Sequence, residues 1–167
     1  AQLNPLKKVV EIGTLTGLSA LYLLEAMPEE ACLWTIEKSD KHAQHAREVL
    51  RSYIEKNRCI LVEGDAREKL KEISIDGPFD AVFIDGNKAA YLDYFEWALV
   101  NTRVGGIIGI DNIFLSGAVW GDTEAQKFSE KQIKTVRDMN EKAFSEKRLQ
   151  SVVIPTHEGL LICKKMF

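Results

Sequence analysis

Two acidic signatures stand directly after two apolar runs of the chain. Asp85 follows the run 79–84, and Asp111 with Asn112 follows the run 106–110. Both runs are typical of buried parallel strands, whose carboxyl ends form the working edge of an open α/β sheet. Two carboxylates and one amide oxygen suit a hard, oxygen-preferring cation. The pattern therefore predicts a site for Mg²⁺, or for Mn²⁺ or Ca²⁺, at Asp85, Asp111 and Asn112.

Lys88 is the residue in this region that is suited to move a proton. It lies shortly after Asp85, at the predicted start of the next helix. A positive charge there opposes the helix dipole, so helix stability does not explain it. A cation bound nearby would favour the neutral amine, which makes Lys88 the predicted general base. The same cation would hold an acidic hydroxyl as an oxyanion, ready to attack an electrophile.

A glycine-rich turn at 11–17 lies between the first predicted strand and the first predicted helix. Glycines let a backbone turn sharply and approach a ligand, and a helix start offers free N–H groups. A dinucleotide fingerprint would need glycines at positions 13, 15 and 18, where the chain has Gly13, Leu15 and Leu18. The turn therefore favours a nucleoside cofactor without a diphosphate, with Ser19 available to its polar groups.

Acidic residues also mark the ends of the second and third predicted strands. Glu37 ends the second strand, where a carboxylate can accept hydrogen bonds from both hydroxyls of a ribose. Gly64, Asp65 and Ala66 follow the third strand and are placed to bracket an adenine. Each acidic residue taken alone is equally typical of a helix cap. Their joint occurrence at successive strand ends favours a cofactor site.

The composition sets broad limits. A length of 167 residues predicts one domain with a hydrophobic core, and 46% hydrophobic with 28% charged residues is ordinary for a globular protein. The net charge of −3 does not indicate binding to nucleic acid or to an anionic membrane. The longest apolar stretch, near 18–24, is too short to span a bilayer. Three widely spaced cysteines predict buried thiols and a cytoplasmic location.

The elements that must position these residues alternate between strand and helix. Strands are predicted at 8–12, 32–37, 59–63, 79–84, 106–110, 149–154 and 160–164. Helices are predicted at 18–27, 40–57, 67–73, 89–101 and 123–146, the last burying Ala125. The short loop between the last two strands predicts a hairpin. The interpretation for 1–167 is a single Rossmann-like domain: a doubly wound, mostly parallel seven-stranded sheet with an antiparallel C-terminal hairpin.

Taken together, these residues resemble a known family. The segments that carry the likeness are Glu11-Ile12-Gly13-Thr14, Glu37 at its strand end, Asp85-x-x-Lys88-x-x-Tyr91 and Asp111-Asn112-x-x-x-x-Gly117. They are similar to the cation-dependent class I O-methyltransferases, the group that contains catechol and caffeoyl-CoA O-methyltransferases and many small bacterial relatives. The closing segment 153–161 looks similar to the terminal hairpin of the bacterial members.

The resemblance implies S-adenosylmethionine as the methyl donor and a divalent cation on Asp85, Asp111 and Asn112, with Lys88 deprotonating the acceptor hydroxyl. The cofactor-binding residues that it implies are Glu11, Gly13, Thr14, Gly17, Ser19, Glu37, Lys38, Gly64, Asp65, Ala66 and Asp85. Family members usually begin with further helices that cover the active site and contribute to dimerisation. We therefore expect an N-terminal helical segment that this sequence lacks, and a homodimer in the full-length protein.

The acceptor stays open at this point. A catechol-like or other small aromatic hydroxyl compound is the leading expectation, and a hydroxylated wobble uridine in tRNA is the alternative within the class. From another class, a nicotinamide-dependent oxidoreductase would share the sheet and the acidic Glu37. Leu15 and Leu18 disfavour that alternative, which also leaves the predicted metal residues unexplained. A cofactor-binding module without catalysis is the third hypothesis.

Overall fold

The computed structural model describes residues 5–121 and 127–167. Its strands are β1 (Lys8–Ile12), β2 (Cys32–Glu37), β3 (Cys59–Glu63), β4 (Phe79–Ile84), β5 (Thr102–Ile110), β6 (Leu149–Ile154) and β7 (Leu160–Lys165). Its α-helices are α1 (Leu18–Ala26), α2 (Asp40–Val49), α3 (Arg51–Glu55), α4 (Ala66–Ile73), α5 (Tyr91–Asn101) and α6 (Glu130–Ser145). Short 3-10 turns occur at Ser74–Asp76, Lys88–Ala90 and Leu115–Trp120.

All seven strands form one sheet in the order β3-β2-β1-β4-β5-β7-β6. The strands β1 to β5 pair in parallel, and β7 runs antiparallel to both β5 and β6. The predicted doubly wound sheet with an antiparallel terminal hairpin is therefore confirmed. Because the strand order reverses between β1 and β4, a crevice opens at the carboxyl ends of these strands, where such sheets bind ligands.

Helices pack on both sides of the sheet, so most residues of the central strands are apolar on either side. Val10 and Ile12 face a cluster built with Phe95 of α5 and Met139 of α6. Val9 faces the opposite cluster, which includes side chains of α1 and α2. Burial on both faces explains why the parallel strands read as near-continuous apolar runs rather than as an alternating pattern.

The predicted helix 40–57 is wrong, because the structure has two helices there. The chain leaves helical geometry at Leu50, whose φ and ψ are −92° and 4°. The Leu50 side chain is fully buried in the cluster on the α1 side of the sheet. The amphipathic pattern continues through the position where α2 ends and α3 begins, so it does not reveal the break at Leu50.

Three further boundaries differ from the prediction. The helix predicted at 123–146 begins at Glu130 in the structure, where Ser129 and Gln132 form a capping box. The predicted start at 123 and the predicted core residue Ala125 lie outside the described residues. The helix predicted at 89–101 opens with a 3-10 turn and becomes α-helical at Tyr91. The fifth strand begins at Thr102 rather than 106, because Gly105, with φ +78°, lies in an irregular stretch of the strand and not in a preceding turn.

The three cysteines carry free thiols and lie in strands, as predicted, with Cys59 and Cys163 buried and Cys32 half-buried. Burial raises the pKa of the Cys59 thiol to about 12. Within 5–121 and 127–167, no helix has the length and apolar character needed to cross a membrane.

Candidate active site

A cavity of about 460 Å³ opens at the carboxyl ends of β1 to β4. The predicted cofactor-binding residues in its wall are Gly13, Thr14, Ser19, Glu37, Lys38, Gly64, Asp65, Ala66 and Asp85. Two others, Glu11 and Gly17, are buried and do not line it. The sheet therefore brings residues from four strand ends into one cavity of a size typical for small ligands.

Gly13 makes the closest approach between the β1–α1 turn and the end of β4. Its φ is +104°, and a Cβ added to it would lie 2.3 Å from the backbone oxygen of Asp85. The Asp85 N–H donates to the Ile12 carbonyl at 2.9 Å, which fixes the two segments against each other. Only glycine fits this position, and its presence places the turn next to Asp85.

Glu37 is held in one orientation by backbone donors. The N–H of Leu15 donates to its Oε2 and the N–H of Ser39 to its Oε1, each at 2.8 Å. Each carboxylate oxygen keeps a further lone pair for a ligand in the cavity. The sequence predicted Glu37 but missed Leu15, which contributes through its backbone and has φ +50°.

Glu11 is the buried acid of the site, with no exposed surface. The Thr35 hydroxyl donates to its Oε2 at 2.5 Å, and Thr35 shares a second hydrogen bond with Thr14. Its Oε1 has no hydrogen-bond partner among the described residues. Burial raises the pKa of Glu11 to about 7, opposed by the Thr35 hydroxyl and assisted by the charge of Asp85. Thr35 was missed, although it stands opposite Glu11 in the register.

The carboxylate of Asp65 is engaged by neighbouring residues of the protein. It caps α4 by accepting the Arg67 N–H at 3.0 Å, and it pairs with the Arg67 side chain and with Lys38 at 2.9 Å each. Hydrogen bonds from Arg67 and Lys38 hold the pKa of Asp65 well below its usual range. Gly64, Asp65 and Ala66 line the cavity, as the predicted adenine site requires. The Asp65 carboxylate itself is already engaged by Arg67 and Lys38.

Lys88 is directed at Asp85 and lies against Tyr91. Its Nζ is 2.8 Å from Asp85 Oδ1 and 4.8 Å from the centroid of the Tyr91 ring, and its side chain is 15% exposed. The Tyr91 hydroxyl donates to the backbone oxygen of Asp111 at 3.1 Å. Burial raises the pKa of the Tyr91 phenol well above its usual range, and the charges of Asp85 and Asp111 add to this, so Tyr91 is a neutral donor.

Asp111 and Asn112 follow β5, which pairs with β4 as predicted. The Asp111 Oδ1 accepts the N–H of Asn112 at 2.8 Å, and Asn112 has φ +57°. Asp111 and Asn112 line a separate cavity of about 400 Å³ together with His157. Asp85 instead lines the 460 Å³ cavity described above. Among residues 5–121 and 127–167, no group of three or more His, Cys, Asp or Glu side chains is arranged to hold a metal.

Glu158 ties the β6–β7 loop to the segment that follows Asn112. The N–H and the hydroxyl of Ser116 donate to its two carboxylate oxygens at 2.8 and 2.7 Å. These hydrogen bonds lower the pKa of Glu158. No local sequence pattern predicts this contact, because it joins two loops that are 42 residues apart.

The strand order, the terminal hairpin and the cavity at the β1/β4 crevice define a Rossmann-like protein of the methyltransferase type. Residues 1–166 match the model of a family described as O-methyltransferase. The chain belongs to this O-methyltransferase family, as the resemblance indicated. This membership argues against the nicotinamide-dependent oxidoreductase.

Named relatives agree with this assignment. The chain is 34% identical over 128 residues to a catechol O-methyltransferase of Niastella koreensis, covering 75% of the chain and 58% of that protein. The O-methyltransferase TomG of Streptomyces achromogenes, solved in complex with SAM, superposes with a TM-score of 0.88 at 27% identity, over 98% of this chain and 74% of TomG. A Bacillus cereus O-methyltransferase, solved in complex with SAH, gives 0.86 at 29% identity, over 96% and 74%. The chain thus spans little more than half the length of the N. koreensis protein.

Proposed function

We propose that this chain is an S-adenosylmethionine-dependent O-methyltransferase that methylates a hydroxyl of a catechol-like or other small aromatic acceptor with the help of a divalent cation. One observation carries the proposal: a single cavity has the oriented carboxylate of Glu37 in its wall and reaches Asp85, the partner of Lys88. The SAM and SAH complexes of the two structural relatives support the cofactor. The name of the N. koreensis relative supports the acceptor class.

The residues present fit this cofactor. Glu37 offers two fixed acceptor oxygens for the paired hydroxyls of a ribose. Glu11 offers a buried oxygen, Oε1, that lacks a partner among the described residues and can accept a hydrogen bond from a ligand group. Gly13 lets the β1–α1 turn pack against the Asp85 backbone, so that both residues lie in the cavity wall.

The donor set also fits a hard cation. Asp85, Asp111 and Asn112 supply two carboxylates and one amide from adjacent strand ends. Such a set leaves several coordination positions for water and for acceptor oxygens, as Mg²⁺ prefers.

The chain's own residues then perform binding, orientation and proton transfer. When bound, S-adenosylmethionine supplies an electrophilic methyl group, and Mg²⁺ lowers the proton affinity of a coordinated hydroxyl. In its neutral form Lys88 Nζ would take up the hydroxyl proton, and Asp85 Oδ1, 2.8 Å from this nitrogen, positions it. The cavity wall would hold the methyl donor beside the acceptor hydroxyl, and the sulfur of the donor would be the leaving group when the methyl is transferred to the acceptor oxygen. The products are the methyl ether, S-adenosylhomocysteine and a protonated Lys88.

Transfer of a labelled methyl group from S-adenosylmethionine to catechol in the presence of Mg²⁺ tests this proposal. Lys88→Ala should abolish transfer while binding of S-adenosylhomocysteine persists, because Lys88 lies outside the cavity wall. Lys131→Ala, on the exposed face of α6, is the matched control and should leave the rate unchanged. A Lys88→Ala variant as fast as the parent would remove Lys88 from the mechanism.

A further inference from the structure

Tyr91 connects the two halves of the proposed cation site. It is the first residue of α5 and has no exposed surface. Its hydroxyl reaches the end of β5 and its ring reaches Lys88. Tyr91 is thus the residue of the described chain that contacts Lys88 with its ring and Asp111 with its hydroxyl.

The hydroxyl of Tyr91 acts on the turn that carries two proposed ligands. It donates to the Asp111 carbonyl at 3.1 Å, and this carbonyl belongs to the peptide that joins Asp111 to Asn112. Asn112 adopts φ +57°, a conformation that non-glycine residues rarely take. An anchor on the preceding carbonyl therefore restrains where both side chains leave the backbone.

The ring of Tyr91 acts on the other half of the site. A lysine ammonium within about 6 Å of an aromatic centroid is attracted to the ring face. Lys88 Nζ lies 4.8 Å from the Tyr91 centroid while it contacts Asp85 Oδ1 at 2.8 Å. The ring thus keeps Lys88 beside Asp85 rather than extended into solvent.

We propose that Tyr91 is a positioning residue for the cation site: its hydroxyl fixes the Asp111–Asn112 turn, and its ring fixes Lys88 beside Asp85. This inference rests on the proposed function, because it assumes that these residues hold a divalent cation. Tyr91 itself does not line the cofactor cavity, so it acts through the residues that it touches.

Titration of the purified chain with Mn²⁺, followed by the electron paramagnetic resonance signal of the free ion, tests the inference without turnover. Tyr91→Phe keeps the ring and removes the hydroxyl, and should weaken Mn²⁺ binding about tenfold, as loss of an outer-shell partner does. Tyr53→Phe is the matched control, because Tyr53 also has a cation, Arg58, at 5.4 Å from its ring centroid but is placed on α3. It should bind Mn²⁺ as the parent does.

Three outcomes overturn the inference, and they are distinguishable. Equal Mn²⁺ affinity of Tyr91→Phe and the parent would overturn the positioning role alone. A parallel loss of S-adenosylhomocysteine binding in Tyr91→Phe would show a general loss of structure instead of a local effect. A parent chain that binds S-adenosylhomocysteine but no Mn²⁺ would overturn the cation part of the proposed function, and the positioning role with it.

Discussion

Replacing Glu11 with glutamine should change how stability depends on pH. The side chain is fully buried, and burial raises its pKa from 4.5 to about 7. Between these pH values the unfolded chain has released the proton and the folded chain still holds it. The unfolded state therefore binds fewer protons, and stability falls as pH rises through this window.

The magnitude follows from the size of the shift. A change from 4.5 to about 7 corresponds in full to about 3 kcal/mol. Most of it, about 2–3 kcal/mol, is lost between about pH 5 and about pH 8. Glu11→Gln has no such proton to release, so the parent should lose about 2–3 kcal/mol relative to the variant over this range.

Urea unfolding followed by circular dichroism at both pH values measures this difference. Glu48→Gln, an exposed substitution on α2, is the control, and its difference from the parent should not depend on pH. Comparing differences removes any constant cost of packing glutamine at position 11. Parallel pH profiles for the parent and Glu11→Gln would refute the account of Glu11 as a buried, neutral acid.

Two further substitutions test the close contacts of the site. Gly13→Ala places a Cβ 2.3 Å from the Asp85 backbone oxygen, so it should abolish S-adenosylhomocysteine binding in calorimetry; binding at the parent affinity would contradict the requirement for glycine. Glu158→Gln weakens the hydrogen bonds from the Ser116 N–H and hydroxyl, and should lower the free energy of unfolding by about 1–2 kcal/mol in urea at neutral pH. An unchanged midpoint would show that this link between the loops contributes nothing to stability.

The sequence was sufficient wherever a polar residue directly follows an apolar run. Glu37 and Asp85 could be placed because each ends a strand that must be buried, and parallel strands end at one edge of the sheet. The adjacency of β4 and β5, and hence of Asp85 and Asp111, followed from the same rule.

The sequence was insufficient where position depends on loop conformation or on burial. The N–H of Leu15 reaches Glu37 while Leu15 has a positive φ. A leucine side chain gives no sequence signal for that conformation. The Ser116–Glu158 contact depends on two loops meeting in space. The break at Leu50 is set by packing against the core, a tertiary effect that overrides a continuous helical pattern.

Calorimetric titration with S-adenosylhomocysteine, run beside NADH on the same preparation, tests the central claim most directly. It needs no acceptor and asks only what the cavity between Gly13 and Glu37 binds. We expect one-to-one binding of S-adenosylhomocysteine and no heat of binding with NADH. Binding of NADH without binding of S-adenosylhomocysteine would contradict it.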